Sequence, residues 1–285
     1  MSHASTSSTT STTSTTSKSI FSLPHANNRL TLDAVPRHDD LLQERLHRKQ
    51  RLAAAYRLFA QYGFEVGLAG HFTARDPIET EHYWINPLGV PFSQISVSQL
   101  LRVDSQGQVV EGEGLLNTSA LDLHYGLQQA RPEVVGIAHL HGFYGRTWSS
   151  LGQLFDPITA EAGAFVGDQA IFRRHDLRKA DGTPEQDRDL VTGAFVDSFA
   201  GNNLLFWQNH GVWTVGETVE SAAWRFILAE DVARSHLLAR AAGVPIIPQL
   251  EPASAEGRAR NELFSWLNFQ PLWDEIIARQ PDLLA

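Results

Sequence analysis

The chain has 285 residues, 42% of them hydrophobic and 19% charged, enough for one large domain or two small ones. It has no cysteine, which excludes disulfides, thiolate metal sites, iron–sulfur clusters and cysteine nucleophiles, and twelve histidines, so a transition-metal site must be built from imidazole and carboxylate. Its 23 Lys and Arg against 32 Asp and Glu give a formal charge of −9, a poor balance for general binding of nucleic acid or anionic membranes.

In chain order, fourteen of the sixteen residues over 2–17 are Ser or Thr. This stretch has no apolar segment and no Arg, so it resembles neither a secretory signal nor a mitochondrial presequence. Residues 1–29 are expected to form a disordered tail. No run approaches the roughly 18 apolar residues of a membrane span, and cytoplasmic residence is the default expectation. A helix is expected over 38–62, where Leu42, Leu46, Tyr56 and Phe59 share a face before Gly63. Short strands follow over 64–68, 71–75 and 82–86, then a hairpin of 100–104 and 107–111 around Ser105-Gln-Gly. Ser119 is placed to cap a helix that Pro132 ends. Residues 134–141 read as a buried strand, 173–187 as a surface loop or frayed helix end, and 204–207 and 212–215 as strands joined by Asn209-His-Gly. Thr218 begins a long helix to residue 242. One mixed α/β domain is expected over 30–245. Residues 246–285, Pro-punctuated and with Phe264, Trp266 and Trp273, are expected to be a C-terminal packing arm or short helices, lying on that domain or on a neighbouring subunit.

The sharpest local pattern is His139-Leu-His141. In a strand, residues two apart share a face, so both imidazoles project together while Leu140 turns to the core. Two readings stand: a pair of metal ligands, or two surface or core histidines. His210, beside Gly211 at a strand-to-turn junction, is placed to point into a cleft as a third ligand, or is a structural histidine. Three imidazoles with an open fourth position make a catalytic type of metal site.

Four segments in this order, Gly67-Leu-Ala-Gly-His-Phe-Thr-Ala-Arg-Asp, Trp84-Ile-Asn-Pro-Leu-Gly, His139-Leu-His and Gln208-Asn-His-Gly-Val-Trp-Thr-Val-Gly, resemble the class II aldolase/adducin family over about residues 45–243. The resemblance implies a three-layer α/β/α sandwich around a mostly antiparallel sheet, assembled as a homotetramer. It further implies one divalent metal ion per subunit, Zn or Fe(II), on His139, His141 and His210. The family's sugar-phosphate aldolases hold phosphate on a Gly-Asn turn, a Thr-Gly turn and a Ser-Ser pair. The matching positions here are Gly70-His71, Leu88-Gly89 and Thr118-Ser119. His71 replaces the Asn, Leu88 removes a hydroxyl, and Ser119 is equally explained as a helix cap.

The departure with the largest chemical consequence is Ala120, where those aldolases carry the Glu that moves protons. Asp122 points elsewhere on a helix, and His124 reads as a core histidine. Glu161 and Asp168 are candidates for base, fourth ligand or partner to an imidazole N–H, with an ion pair to Arg173 or Arg174 as the alternative. Tyr144 is a further catalytic candidate, and Arg146 a candidate for orienting an anionic substrate. The expected function is a metal-dependent lyase acting on a small hydroxy-carbonyl or hydroxy-acid substrate, in a chain that binds neither nucleic acid nor membrane. The alternatives are a non-haem Fe(II) oxygenase or oxidative decarboxylase, whose O₂ chemistry does not need the missing Glu, and a non-catalytic, adducin-head-like oligomerisation module.

Overall fold

The computed structural model describes residues 34–118, 121–247 and 261–285, together with a short antiparallel pair, β1 (His25–Ala26) and β2 (Arg29–Leu30). The chain divides into units at residues 32 and 33. Most of the expected Ser/Thr tail lies outside the described residues, as do Ser119 and Ala120.

The second unit is built on one eight-stranded sheet. Its strands are β3 (His71–Arg75), β4 (Tyr83–Ile85), β5 (Leu101–Val103), β6 (Val109–Glu111), β7 (Gly136–Leu140), β8 (Gln169–Phe172), β9 (Leu204–Trp207) and β10 (Gly211–Gly216). They stand in the order β6-β5-β4-β3-β7-β10-β9-β8. Every neighbouring pair is antiparallel except β8 with β9. Alternation along the strands separates two helical layers. Ala138, Leu140, Phe206 and Val212 pack with α1 (Leu41–Gln61), α6 (Val219–Ala241) and α7 (Glu262–Arg279). Ile137, Leu205, Trp213 and Val215 pack with Leu127 of α2 (Leu121–Ala130) and with Phe195 and Phe199 of α5 (Arg188–Phe199). This is a three-layer α/β/α sandwich around a mostly antiparallel sheet, the architecture that the resemblance implies. Among the described residues no helix is long and apolar enough to cross a membrane.

Buried polar contacts tie the layers to the strands that carry the site. The Tyr56 hydroxyl of α1 accepts from the Phe72 N–H at 2.8 Å and donates to Asn86 Oδ1 at 2.6 Å, fixing β3 beside α1. Just after β3, the buried Asp76 carboxylate accepts from Arg45 at 2.7 and 2.8 Å, from Trp84 Nε1 at 2.8 Å and from the N–H groups of Ile78 and Glu79 at 2.9 and 2.8 Å. Burial alone would raise this carboxyl, but Arg45 and the other donors outweigh it and hold it below the usual carboxylate range.

Several expectations need correction in detail. The strand expected over 64–68 is a turn, with Ala69 N–H donating to the Val66 carbonyl at 3.0 Å and Gly67 at φ +57°. The segment over 173–187 is a mostly exposed loop as expected, shaped by a 3₁₀ turn (Arg174–Asp176) and an isolated bridge between Arg178 and Pro184. Sequence periodicity did not reveal α3 (Phe143–Ser149), α4 (Ala160–Gly163), α5 or β8. Among its described residues the arm contains one long helix, α7. Its Glu262 pairs with Arg225 at 2.9 Å, and its Trp273 ring lies 3.4 Å beneath the Arg51 guanidinium of α1.

Candidate metal centre

Adjacent strands bring the three histidines together. His139 lies on β7, His141 one residue past its end, and His210 in the turn between β9 and β10. That turn closes by the His210 N–H donating to the Trp207 carbonyl at 3.0 Å, with Asn209 at φ +61°, a left-handed conformation that Asn adopts more readily than most residues. Gly211 completes it. A Cβ there would come within 3.0 Å of the Leu140 carbonyl and 3.2 Å of both His139 Cε1 and His141 Cδ2, so a side chain would press the ligand rings apart.

His141 Nε2 is 3.2 Å from His139 Nε2 and 3.3 Å from His210 Nε2, and one ligand atom from each ring lies within 4.8 Å of the others. Two nitrogens about 2.0–2.1 Å from one tetrahedral ion stand about 3.3–3.4 Å apart, so the donor set fits a shared divalent ion. His139 Nδ1–H donates to the Val212 carbonyl at 2.9 Å, which leaves the Nε2 lone pair toward the cluster. The Trp213 ring stacks on His139 at 4.2 Å and 12° and fixes its plane. Burial holds His139 far below the ordinary imidazole range, holds His210 below it, and, with help from His210 and Arg146, lowers His141 to about 4. The rings are therefore neutral near pH 7, the form that ligates. Among the described residues no carboxylate belongs to this group, and three nitrogens leave a coordination position for a ligand.

The other candidates are scattered. His71 stands beside His139 in register, their rings 5.1 Å apart, and the wholly buried His124 covers it. Arg146 is close enough for its charge to act on His141. Gly89, at φ +89°, and Thr118 are exposed, and Ser119 lies outside the described residues. Asp168 is wholly buried, and its two oxygens accept from the Asn203 N–H at 2.9 Å and the Asn203 amide at 3.1 Å, a contact that links the start of β8 to the approach to β9. Glu161 and Tyr144 line a cleft of about 590 Å³ between α1, α3, α4, α6 and α7, with Trp224 and Phe264 among its walls. This cleft lies in the helical layer on the other side of the sheet from the Trp213 face.

That cleft also holds a group that the sequence reading missed. Glu230, on the core face of α6, accepts from the N–H groups of Gly145 at 2.9 Å and Tyr144 at 3.2 Å. A Cβ on Gly142 or Gly145 would come within 2.3 or 2.4 Å of Glu230 Oε1, so both glycines make room for it. Its signal is an acid placed directly after the apolar run Phe226-Ile-Leu-Ala, with Asp231 next to it. Burial lifts its carboxyl to about 7, against the opposing pull of the two N–H groups and Arg146. A raised carboxyl contributes stability that is complete below its ordinary pKa of 4.5 and is lost as pH rises through about 7. Between about pH 4 and pH 8, wild type is therefore expected to lose about 3 kcal/mol relative to Glu230→Gln. Urea unfolding of both proteins across that range measures it, and a pH-independent difference would refute it.

Comparison with known proteins agrees with this geometry. Residues 50–237 match the family model described as Class II Aldolase and Adducin N-terminal domain. The chain is 37% identical to Decarboxylase NovR of Streptomyces niveus, over 87% of this chain and 90% of that protein. It is 36% identical to 4-hydroxy-3-prenylphenylpyruvate oxygenase/4-hydroxy-3-prenylbenzoate synthase of Streptomyces roseochromogenus subsp. oscitans, over 88% and 89%. Among solved structures it is similar to L-fuculose 1-phosphate aldolase from Glaciozyma antarctica PI12, with a TM-score of 0.78, 32% identity and coverage of 88% and 97%. With its sheet, its three convergent histidines and a family match over more than half its length, the chain belongs to the class II aldolase/adducin family.

Proposed function

We propose that this chain is a metal-dependent enzyme that breaks a carbon–carbon bond beside a carbonyl, and that its reaction is the O₂-dependent decarboxylation of a 2-oxo acid on Fe(II) held by His139, His141 and His210. A divalent ion there supplies Lewis acidity toward a carbonyl oxygen, and iron adds access to O₂ chemistry. The observation that carries this reading over retro-aldol cleavage is the complete imidazole triad combined with Ala120. Ala cannot move a proton, and no described carboxylate stands among the triad to replace the missing Glu. The names of the two Streptomyces relatives, a decarboxylase and an oxygenase acting on an arylpyruvate, support a 2-oxo acid as substrate class. The structural likeness to an L-fuculose 1-phosphate aldolase favours the second reading, a Zn-dependent lyase on a hydroxy-carbonyl substrate. A homotetramer in the cytoplasm completes the proposal.

Metal analysis with aerobic and anaerobic turnover separates these readings. Iron in the purified protein, with O₂ uptake matched to CO₂ release from a phenylpyruvate, is the expected result. Zinc with O₂-independent cleavage of a hydroxy-carbonyl sugar phosphate would transfer the assignment to the lyase. A metal-free protein whose behaviour survives His139→Ala would leave only the non-catalytic, adducin-head-like role.

A further inference from the structure

Beside the triad lies a hydrogen-bonded row that none of its ligands requires. The registers β3–β7 and β7–β10 set His71, His139 and Trp213 at one level of the sheet. His124 of α2 closes over them, its ring 4.6 Å from His71 and 5.0 Å from Trp213. Thr73 Oγ1 is 2.7 Å from His124 Nδ1, and His124 Nε2 is 2.7 Å from His71 Nδ1. Thr73 and His124 are wholly buried.

Hydrogen-bond accounting gives this row a direction. A hydroxyl always carries a proton, and a buried one needs an acceptor. Among the described residues, the partner of Thr73 Oγ1 is His124 Nδ1. If that nitrogen were protonated, the Thr73 O–H would have nowhere to donate. Thr73 therefore donates, and His124 Nδ1 is bare. The His124 proton then sits on Nε2 and is donated to His71 Nδ1. That nitrogen is bare in turn, so the His71 proton sits on Nε2, on the side of the ring away from His124. One hydroxyl thus sets the tautomer of two neutral rings. His71 lies close enough to His141 and His210 for a charge on either to act on it, and its Nε2 makes no hydrogen bond to another described residue.

We propose that His71 presents an Nε2–H donor to an oxygen of the ligand held at the triad, that Thr73 and His124 are positioning residues for that donor, and that His71 is not a fourth metal ligand. A protonated nitrogen has no lone pair for an ion, so the row keeps the site at three nitrogens although a fourth imidazole stands beside them. What an N–H donor recognises is an oxygen lone pair, the carboxylate or carbonyl oxygen of a chelating acid. The inference rests on the reading that the triad holds a metal and an oxygen ligand.

Two measurements test it. Long-range ¹H–¹⁵N NMR of the metal-free protein reads the histidine tautomers directly, and His71 and His124 are both expected as neutral Nε2–H rings. Thr73→Val, nearly isosteric, removes the donor and is expected to leave His71 in mixed tautomers, whereas Thr73→Ser restores the single form. On metal-loaded protein, oxalate titrated by calorimetry is expected to bind about tenfold more weakly to Thr73→Val and His71→Ala, with wild-type affinity in Thr73→Ser. His71→Asn retains an N–H donor and guards against misfolding of the Ala variant. His71 protonated on Nδ1 in wild type, or oxalate affinity unchanged in His71→Ala, overturns this inference. A wild-type protein that takes up no metal overturns the metal reading instead, because the tautomers are read without it.

Discussion

Replacing His210 by Ala is expected to leave a folded protein that no longer retains metal after dialysis. Removing an outer hydrogen-bond partner of a metal ligand typically costs 10–100-fold in affinity, so losing one of three ligands is expected to cost more than about 10²-fold, with turnover falling in step. His210 is the most informative of the three to remove. It sits in a turn and is half-buried, whereas His139 lies inside the sheet, donates to the Val212 carbonyl and stacks on Trp213. Truncating His139 therefore mixes loss of a ligand with loss of buried packing and a backbone hydrogen bond, whereas truncating the half-buried His210 gives up chiefly its stacking on Trp207 at 4.6 Å. Metal per subunit by plasma mass spectrometry, beside a thermal melt of the metal-free proteins, makes the measurement. Full retention of metal with unchanged melting would remove His210 from the ligand set.

The largest loss of stability is expected from Asp76→Ala. Five donors converge on this one wholly buried carboxylate, two of them from the Arg45 guanidinium. Removing the acceptor leaves a mostly buried cation, an indole N–H and two backbone N–H groups without their partner. Breaking a buried ion pair from one side costs on the order of 3–5 kcal/mol, which for a unit of this size lowers the melting temperature by roughly 10 °C. The indole belongs to Trp84 on β4 and the carboxylate follows β3, so the loss falls on the half of the sheet that holds His71 in place. Denaturant unfolding of wild type and variant tests this, and a difference under about 1 kcal/mol would show that these contacts are replaced by water at no cost.

Much of the architecture was legible in residue order because it is encoded by short-range periodicity. Helices α1 and α6 begin at Asp40 and Thr218, whose side chains accept from the first turn, and the hairpin turns where Asp104 Oδ1 accepts from Gln106 and Gln108. Those signals act within a few residues, so they survive without knowledge of the fold. The strand at 64–68 misled because Gly67 offered a left-handed turn that outcompeted extension. The short helix α4 and the helix α5 had too little amphipathic pattern to stand out, since their positions follow from packing against the sheet.

The same division runs through the site. Residue order alone determined the pair His139 and His141, because a period of two puts them on one face whatever surrounds the strand. It also determined that Ala120 carries no proton. Only the tertiary structure decided that His71 and Trp213 flank His139, that Thr73 reaches His124, that Glu230 caps α3, and that Asp168 is engaged by Asn203. The reason is physical. A side chain's face is set by its own backbone, but its partner across the sheet is set by strand order and register, and its partner from a helix by how the layers pack. These are long-range outcomes of burying the whole apolar surface at once, and no local window of the sequence contains them.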